Sequence, residues 1–489
     1  LLPRHRAPLY EQMIQHADGN PASFHVPGHK SGRGAMNWQA PFYESILKID
    51  YTEIPGLDDL HQPEGAIREA QELAADCFGA EETHFLVGGS TVGNLAMILS
   101  VCRRGDLLLV QRNAHKSIIH GLMLAGVRAV FLIPQWDQES GIAAGVRLED
   151  VSSALCTYPE AKGLLITNPN YFGMGQQLKP IADLMHAHGK PLLVDEAHGA
   201  HYGFHPELPP SALSSGADAV VQSTHKMLTA MTMGAMLHVQ GSLIDRSEIK
   251  RQLTILQSSS PSYPILASLD LARRQMHIQG EADIQKGMDT VRFFRKRMEE
   301  LPRFEIVSPT VNSVFDTLDP FKITVSDRRG VMSGPEIQRN LESKGCYVEL
   351  ATPRQVLLLF TLASTQEEAA RASNAFRRME SDFCINKEEL KAQAANMMNN
   401  PHVSSISAPV VFDLHPNTER INQSRSVPIH QAAGLYSAEM VIPYPPGIPV
   451  LYPGELITTE TARYLEELAV QGIRFHGSRE ATAGYLQVY

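Results

Sequence analysis

Cysteine is scarce and unpatterned. Five occur in 489 residues (Cys77, Cys102, Cys156, Cys346, Cys384) and no two make a CxxC pair. That excludes a disulfide framework and a zinc ribbon, and it is the usage expected of a reducing compartment. Long apolar runs are missing as well. None reaches the roughly eighteen residues of a membrane-spanning helix, and the opening LLPRHRAPLYEQM has no secretory apolar core. Positive charge is the minority sign, with 43 Lys and Arg against 53 Asp and Glu for a net −10. This argues against non-specific nucleic-acid binding and mildly favours cationic small molecules. No GxxxxGK[ST] occurs, so a Walker-type phosphate loop is excluded. No internal repeat and no low-complexity tract interrupt the chain. What these absences leave is a cytoplasmic globular protein of two or three compact units.

Residues 1–60 read as an irregular, turn-rich N-terminal arm, with FHVPGHKSGRG at 24–34 its densest glycine and histidine cluster. From about residue 61 to 300 short apolar runs alternate with helix-like segments. The runs are LLLV (107–110), AVFLI (129–133), GLLIT (163–167), PLLVD (191–195), DAVVQS (218–223) and GAMLHV (234–239). Such alternation predicts an α/β domain with a mainly parallel sheet, its polar groups gathered at the carboxyl ends of the strands. Two helices are expected at 262–279 and 283–300. A smaller α+β unit is expected over 301–385 from FEIVS, FKITV, YVEL and VLLLF. A further module covers 386–489, beginning with a helix at 386–400 and containing MVIPYPPGIPVLYPGE (440–455).

Three strand or helix ends carry chemistry. Gly88-Gly89-Ser90-Thr91 is a glycine turn at a helix start, where unpaired N–H groups and the positive dipole end suit a phosphate. PLLVDEAHGAH leaves Asp195 at the end of a buried strand, followed by the small Ala197 and by His198. A carboxylate there is unfavourable unless paired, and it would suit a protonated ring nitrogen with Ala197 making room for a flat ring. DAVVQSTHK ends a third buried strand on Ser223, Thr224, His225 and Lys226. A lysine for a Schiff base, a carboxylate for a pyridinium nitrogen and a phosphate cradle are together the requirements of pyridoxal 5'-phosphate. Lysine exchange further requires a desolvated or cation-flanked amine.

VDEAHGAH, STHKML, RNAHKS (112–117), FHVPGHK and PYPPGIP…PGE resemble the ornithine/lysine/arginine decarboxylase family over about residues 5–480. The resemblance implies the aspartate-aminotransferase fold (pyridoxal phosphate fold type I). Its large domain has a mainly parallel seven-stranded sheet and is followed by a smaller α+β domain and a C-terminal family module. The long N-terminal wing of the large inducible members is missing, so the chain resembles the short bacterial form. Carried over, Lys226 binds the cofactor aldehyde, Asp195 pairs with its ring nitrogen, and His115 stacks on the ring. His198 lies near the phenolic oxygen and the substrate carboxylate. Ser90, Thr91, Ser223 and His225 hold the phosphate, and Ser259 and Ser260 reach it across a homodimer interface. Gly89-Ser90-Thr91 stands where the family often has Gly-Thr-Ser, which keeps both hydroxyls.

The implied reaction is α-decarboxylation of a basic amino acid, arginine first, with lysine and ornithine as alternatives. Glu455, Glu439 and Asp58 (or its neighbour Asp59) are the candidates for reading the substrate's far end. The aminotransferase or aldolase alternative is disfavoured by His115 and the PYPPGIP module. A silent partner-binding homologue is disfavoured by retention of Lys226, Asp195, His198 and His115. His198, His201 and His205 are close in sequence, but a metal there would conflict with the cofactor, and none is expected. HVPGH at 25–29 has HxxxH spacing, yet Pro27 and Gly28 preclude the helix that would align it.

Overall fold

The structure is a computed structural model and describes residues 3–38, 41–382, 405–414, 424–444, 448–470 and 472–489. The helix expected at 386–400 and residues 445–447 of PYPPGIP lie outside this set. By internal contacts the chain divides into two units. One comprises Leu1–Arg103, Lys162–Asn168 and Leu178–Ala282; the other comprises Arg104–Ala161, Pro169–Gln177 and Asp283–Tyr489.

In the first unit five strands lie side by side in the order Glu82–Leu86, Ala235–Val239, Ala219–Gln222, Leu192–Asp195 and Leu164–Thr167. The last three are parallel, with Asp195 opposite both Thr167 and Val221. Ala235–Val239 runs antiparallel to both its neighbours. Every residue of Leu192–Asp195 and Ala219–Gln222 is buried. That explains their continuous apolar sequence, since a strand covered on both faces has no polar side. Glu82–Leu86 is a strand that the apolar-run reading passed over. It begins on a half-exposed glutamate and alternates in burial, as an outer strand should.

The helix Gly89–Val101 crosses this sheet with almost no gap. A Cβ added to Gly93 would lie 2.3 Å from Val221 Cγ2, so only a glycine lets the helix sit this near the strand. The N-terminal arm is tied down by a buried ion pair. Arg273 and Asp270 are fully buried and paired. Arg273 also donates to the carbonyls of Arg4 (3.1 Å) and Arg6 (2.7 Å), while Asp270 accepts from Leu9 N–H (3.0 Å). The long helix Tyr263–Glu299 is broken at Gln279, whose φ of −143° and ψ of 15° are not helical. The span is therefore two helices meeting at Gln279, as expected from the sequence.

In the second unit Leu107–Gln111 and Arg128–Leu132 pair in parallel, and Val410–Val411 joins the latter antiparallel. A separate antiparallel sheet has the order Phe304–Ile306, Lys322–Asp327, Gln355–Leu359, Leu350–Ala351. It is covered by the helix Gly334–Glu342, which starts with a Ser333–Glu336 capping box. The C-terminal part pairs Arg425–Pro428 with Tyr485–Val488 and Ile442–Tyr444 with Arg474–His476. Its core is built from Ile429, Val441, Leu451, Ile457, Leu465 and Leu486. Among the described residues no helix is long and apolar enough to cross a membrane.

Gly93→Ala should displace the helix from Val221 and lower stability by about 1–3 kcal/mol, the usual penalty for overpacking. Urea unfolding of the two proteins measures it; an unchanged midpoint would show that the contact relaxes without loss.

Candidate functional site

Three chain segments of the first unit meet at the carboxyl ends of its strands. The helix Gly89–Val101 places Asn94, 1% exposed, so that its amide donates to Asp195 Oδ2 at 2.9 Å. Asp195 Oδ1 accepts from Ala197 N–H at 3.1 Å. Burial drives the Asp195 carboxyl above its ordinary range. Asn94, the charge of Lys226 and the Ala197 amide oppose the rise, in that order. The hydrogen bonds made by this buried carboxylate therefore come from neutral donors.

Lys226 lies in the short helix Thr224–Met227, directly after the strand Ala219–Gln222. Its Nζ stands 3.2 Å from His198 Nε2, within hydrogen-bond distance of the imidazole. His198 is 6% exposed, on the turn that follows Asp195. His225 is held by the Gly234 carbonyl, 3.1 Å from both its Nδ1 and its backbone N–H. Its pKa is lowered, by burial first and by the Lys226 charge; the Gly234 bond opposes this.

Ser223 donates its hydroxyl to Ser90 at 2.9 Å, which links the lysine turn to the glycine turn. The helix starting at Gly89 has no side-chain cap, and Thr91 is exposed beside it. Gly89 N–H is held by the Met233 carbonyl at 2.9 Å. The result is an open helix start with two hydroxyl side chains, an arrangement that receives an anion well. Thr167 Oγ1, in register with Asp195, and Thr224 Oγ1 are buried without a hydrogen-bond partner among the described residues. A flat, polar-edged group fits this surround. It would give Asp195 a cationic partner, the helix start an anion and the threonines a polar contact.

Asn94 was not singled out from sequence. It lies four residues after Ser90, one helical turn along the same face, which was the available signal. Behind Asp195 runs a second feature that the sequence reading passed over. Glu196, fully buried, accepts from Ala212 N–H (2.8 Å) and from the Gln222 amide (2.7 Å). Gln222 Oε1 lies 3.2 Å from His238 Nε2, and His238 Nδ1 lies 2.8 Å from the Thr83 hydroxyl. Burial pushes the His238 pKa down to about 3, so the ring is neutral, donating at Nε2 and accepting at Nδ1. Burial pushes Glu196 up to about 8 against both its hydrogen bonds, and the Asp195 charge adds to the rise. Polar residues inside otherwise apolar strands were the signal for this chain.

The remaining sequence candidates are occupied locally. Asp58 accepts from five backbone N–H groups, Asp59, Glu64, Gly65, Ile67 and Arg68, at 2.8–3.2 Å. It thereby fastens the start of the helix Ala66–Phe78. Ser259 and Ser260 are exposed. His115, in the second unit, caps the helix Lys116–Ala125 by accepting from Ser117 N–H at 3.2 Å. Glu455 accepts from the Arg112 guanidinium at 2.9 and 3.0 Å and from Tyr452 N–H at 2.9 Å. Arg112 also donates to Pro449 and Val450 carbonyls and lies over the Tyr452 ring at 3.9 Å. Glu439 accepts from Ser478 (2.7 Å) and Gln487 N–H (3.0 Å), and burial raises its pKa.

The family description Orn/Lys/Arg decarboxylase, major domain, matches residues 7–368, and that of the family's C-terminal domain matches 415–488. A Bacillus subtilis protein called YaaO is 41% identical, covering 99% of this chain and 98% of that one. An arginine decarboxylase of Bacillus subtilis is 34% identical over 99% and 98%. The lysine decarboxylase LdcA of Pseudomonas aeruginosa is 25% identical over 94% and 75%. The solved constitutive lysine decarboxylase of Escherichia coli superposes with a TM-score of 0.80 at 22% identity, covering 100% of this chain and 82% of that one. This last likeness concerns the fold: mixed α/β with a large, mainly parallel sheet.

Glu196 supplies a pH test. Its carboxyl pKa is higher folded (about 8) than unfolded (about 4.5), so the fold favours the protonated form. Its contribution is complete below the unfolded value and is lost as pH rises to about 8. Relative to Glu196→Gln, the wild type should lose stability, on the order of a few kcal/mol, across that window. Unfolding midpoints at several pH values test this; parallel profiles would refute it.

Proposed function

The chain belongs to the ornithine/lysine/arginine decarboxylase family, and we propose that it binds pyridoxal phosphate at Lys226 and Asp195 and converts L-arginine to agmatine and carbon dioxide. The observation that carries the cofactor reading is the buried Asp195 carboxylate, whose hydrogen-bond donors are neutral. A buried charge of this kind calls for a cation. When bound, the cofactor supplies an aldehyde that captures amines and a protonated ring that accepts the electron pair of a bond breaking at the α-carbon.

The chain's own residues do the rest. Asp195 provides the counter-charge for a ring N–H⁺, and Asn94 fixes its orientation. Ser90, Thr91, Ser223 and His225 surround the open helix start and hold the phosphate. Lys226 acts as a nucleophile only as a neutral amine, and His198 Nε2, at 3.2 Å, is placed to take its proton. The α-carbon loses carbon dioxide and gains one proton, which Lys226 or His198 delivers, so each turnover consumes a proton. The small, buried Ala197 next to the carboxylate leaves space for the ring.

Arginine as substrate is supported by the name of the 34% identical relative. Lysine is the alternative, from LdcA. The same reading makes the protein a cytoplasmic homodimer serving polyamine formation, with Ser259 and Ser260 exposed to meet the phosphate of a second copy.

Carbon dioxide release from arginine, lysine and ornithine, measured side by side, should be fastest with arginine. A protein that absorbs in the visible yet only transaminates would sink the proposal. Lys226→Ala should abolish the absorption of lysine-bound cofactor. His198→Asn should lower kcat by about 10²–10⁴-fold, the usual range for a lost proton-transfer group; an unchanged kcat would remove His198 from the proton path.

A further inference from the structure

The short helix that carries Lys226 leads back to the sheet through Leu228–Gly234, which ends in a tight turn. Gly234 N–H donates to the Met231 carbonyl at 2.9 Å. Inside this turn the φ of Met233 is +76°, whereas that of Thr232 is not positive. A positive φ at the third residue alone is the pattern of a type II turn, a place that suits glycine or asparagine and disfavours other side chains. Burial does not offset the strain, since Met233 is 50% exposed. Hydrogen bonds hold the turn instead. Met231 N–H donates to the Ser268 hydroxyl at 3.0 Å. The Met233 carbonyl accepts from Gly89 N–H at 2.9 Å, and the Gly234 carbonyl stands 3.1 Å from both the N–H and the ring Nδ1 of His225. Two successive carbonyls thus reach the glycine turn on one side and His225 on the other. Strained backbone persists only where its surroundings fix it, and it gathers at functional sites. With a negative φ at Met233 the chain beyond it would change direction, and the two carbonyls could not both keep their donors.

We propose that Met233 is a positioning residue for the cofactor's phosphate and acts through its backbone: the left-handed turn sets the spacing between the helix start at Gly89 and His225. This rests on the reading of Ser90, Thr91, Ser223 and His225 as the groups that hold the phosphate. The Met233 carbonyl takes the first N–H of the helix Gly89–Val101, so the anion is received by the later N–H groups and by the hydroxyls of Ser90 and Thr91. The thioether has no part in this, and any side chain that tolerates a positive φ serves equally. The aldehyde end of the cofactor is governed separately, because Lys226 N–H is held by the Ser223 carbonyl at 3.0 Å, on the other side of the short helix from the turn. The turn therefore acts on recognition of the phosphate and leaves capture of the aldehyde by Lys226 unchanged.

The test compares pyridoxal phosphate with pyridoxal, which has the aldehyde and no phosphate, on the full chain freed of cofactor. Met233→Gly and Met233→Asn, which suit the third place of a type II turn, should bind both as the wild type does. Met233→Val, whose β-branched side chain tolerates a positive φ least, should lose at least about tenfold in affinity for pyridoxal phosphate and less than about twofold for pyridoxal. Met233→Thr, also β-branched, should repeat the pattern if the valine variant does not fold. Equal losses for the two ligands would overturn the proposal, because they would mean general damage to the lysine turn. So would a loss in Met233→Gly as large as in Met233→Val, since the side chain would then be what matters, as it would be if a second copy covered it. Inorganic phosphate gives an independent reading. Against chloride of equal ionic strength it should raise the melting temperature of the wild type and of Met233→Gly, and not that of Met233→Val. The same order in a protein that forms no lysine-bound cofactor would refute the Lys226 reading and uphold the role of the turn. Lysine-bound cofactor held with equal affinity in every variant would do the reverse.

Discussion

Asp195 has its carboxylate in the dry end of a sheet, and nearly everything described around it exists to make that tolerable. Asn94 reaches it only because the helix Gly89–Val101 lies against the strand at Gly93, where no Cβ would fit. The same helix start supplies Ser90, and the Ser90–Ser223 bond then connects it to the turn that holds Lys226. One close helix–strand contact therefore sets the distance between the carboxylate, the anion-receptive turn and the amine. A looser contact would leave all three residues in place and their spacing wrong, and productive geometry tolerates little such error.

Much of the fold was legible because buried strands leave an unmistakable trace. LLLV, AVFLI and PLLVD are short, apolar and β-branched in part, and such runs have few other homes. The strand Glu82–Leu86 escaped because it starts on charge and alternates, which a five-residue window between two helices does not reveal. Lys226 and Asp195 stood out for the reason that apolar strands rarely end on ionisable side chains. Asn94 and Glu196 did not. Their importance depends on which segments the sheet order brings together, and no local pattern encodes that order. The three carboxylates chosen for substrate recognition illustrate the same limit. Fifty-three acidic residues offer no local mark that separates a helix clasp such as Asp58 from a ligand-reading group.

The second unit uses a cation where the first uses an anion. Arg112, buried after the strand Leu107–Gln111, binds two carbonyls, a tyrosine hydroxyl and Glu455, and stacks over Tyr452. Guanidinium is suited to this work because its planar fork makes several bonds at once while keeping an apolar face. The segment Pro449–Glu455 is thereby attached to a strand more than three hundred residues earlier. Glu455 thereby shares its carboxylate between the Arg112 guanidinium and Tyr452 N–H.

The chain from Thr83 through His238 and Gln222 to Glu196 has a polarity. Every bond in it donates toward the glutamate, and Gln222 is the member that must accept on one side and donate on the other. Reversing its amide would set donor against donor at His238. Because the four residues come from three strands and a turn distant in sequence, a substitution at any one of them keeps the row satisfied only if the new side chain preserves its direction. The apolar residues on either side can be exchanged one at a time, whereas a change of direction in this row has to be made at its members together.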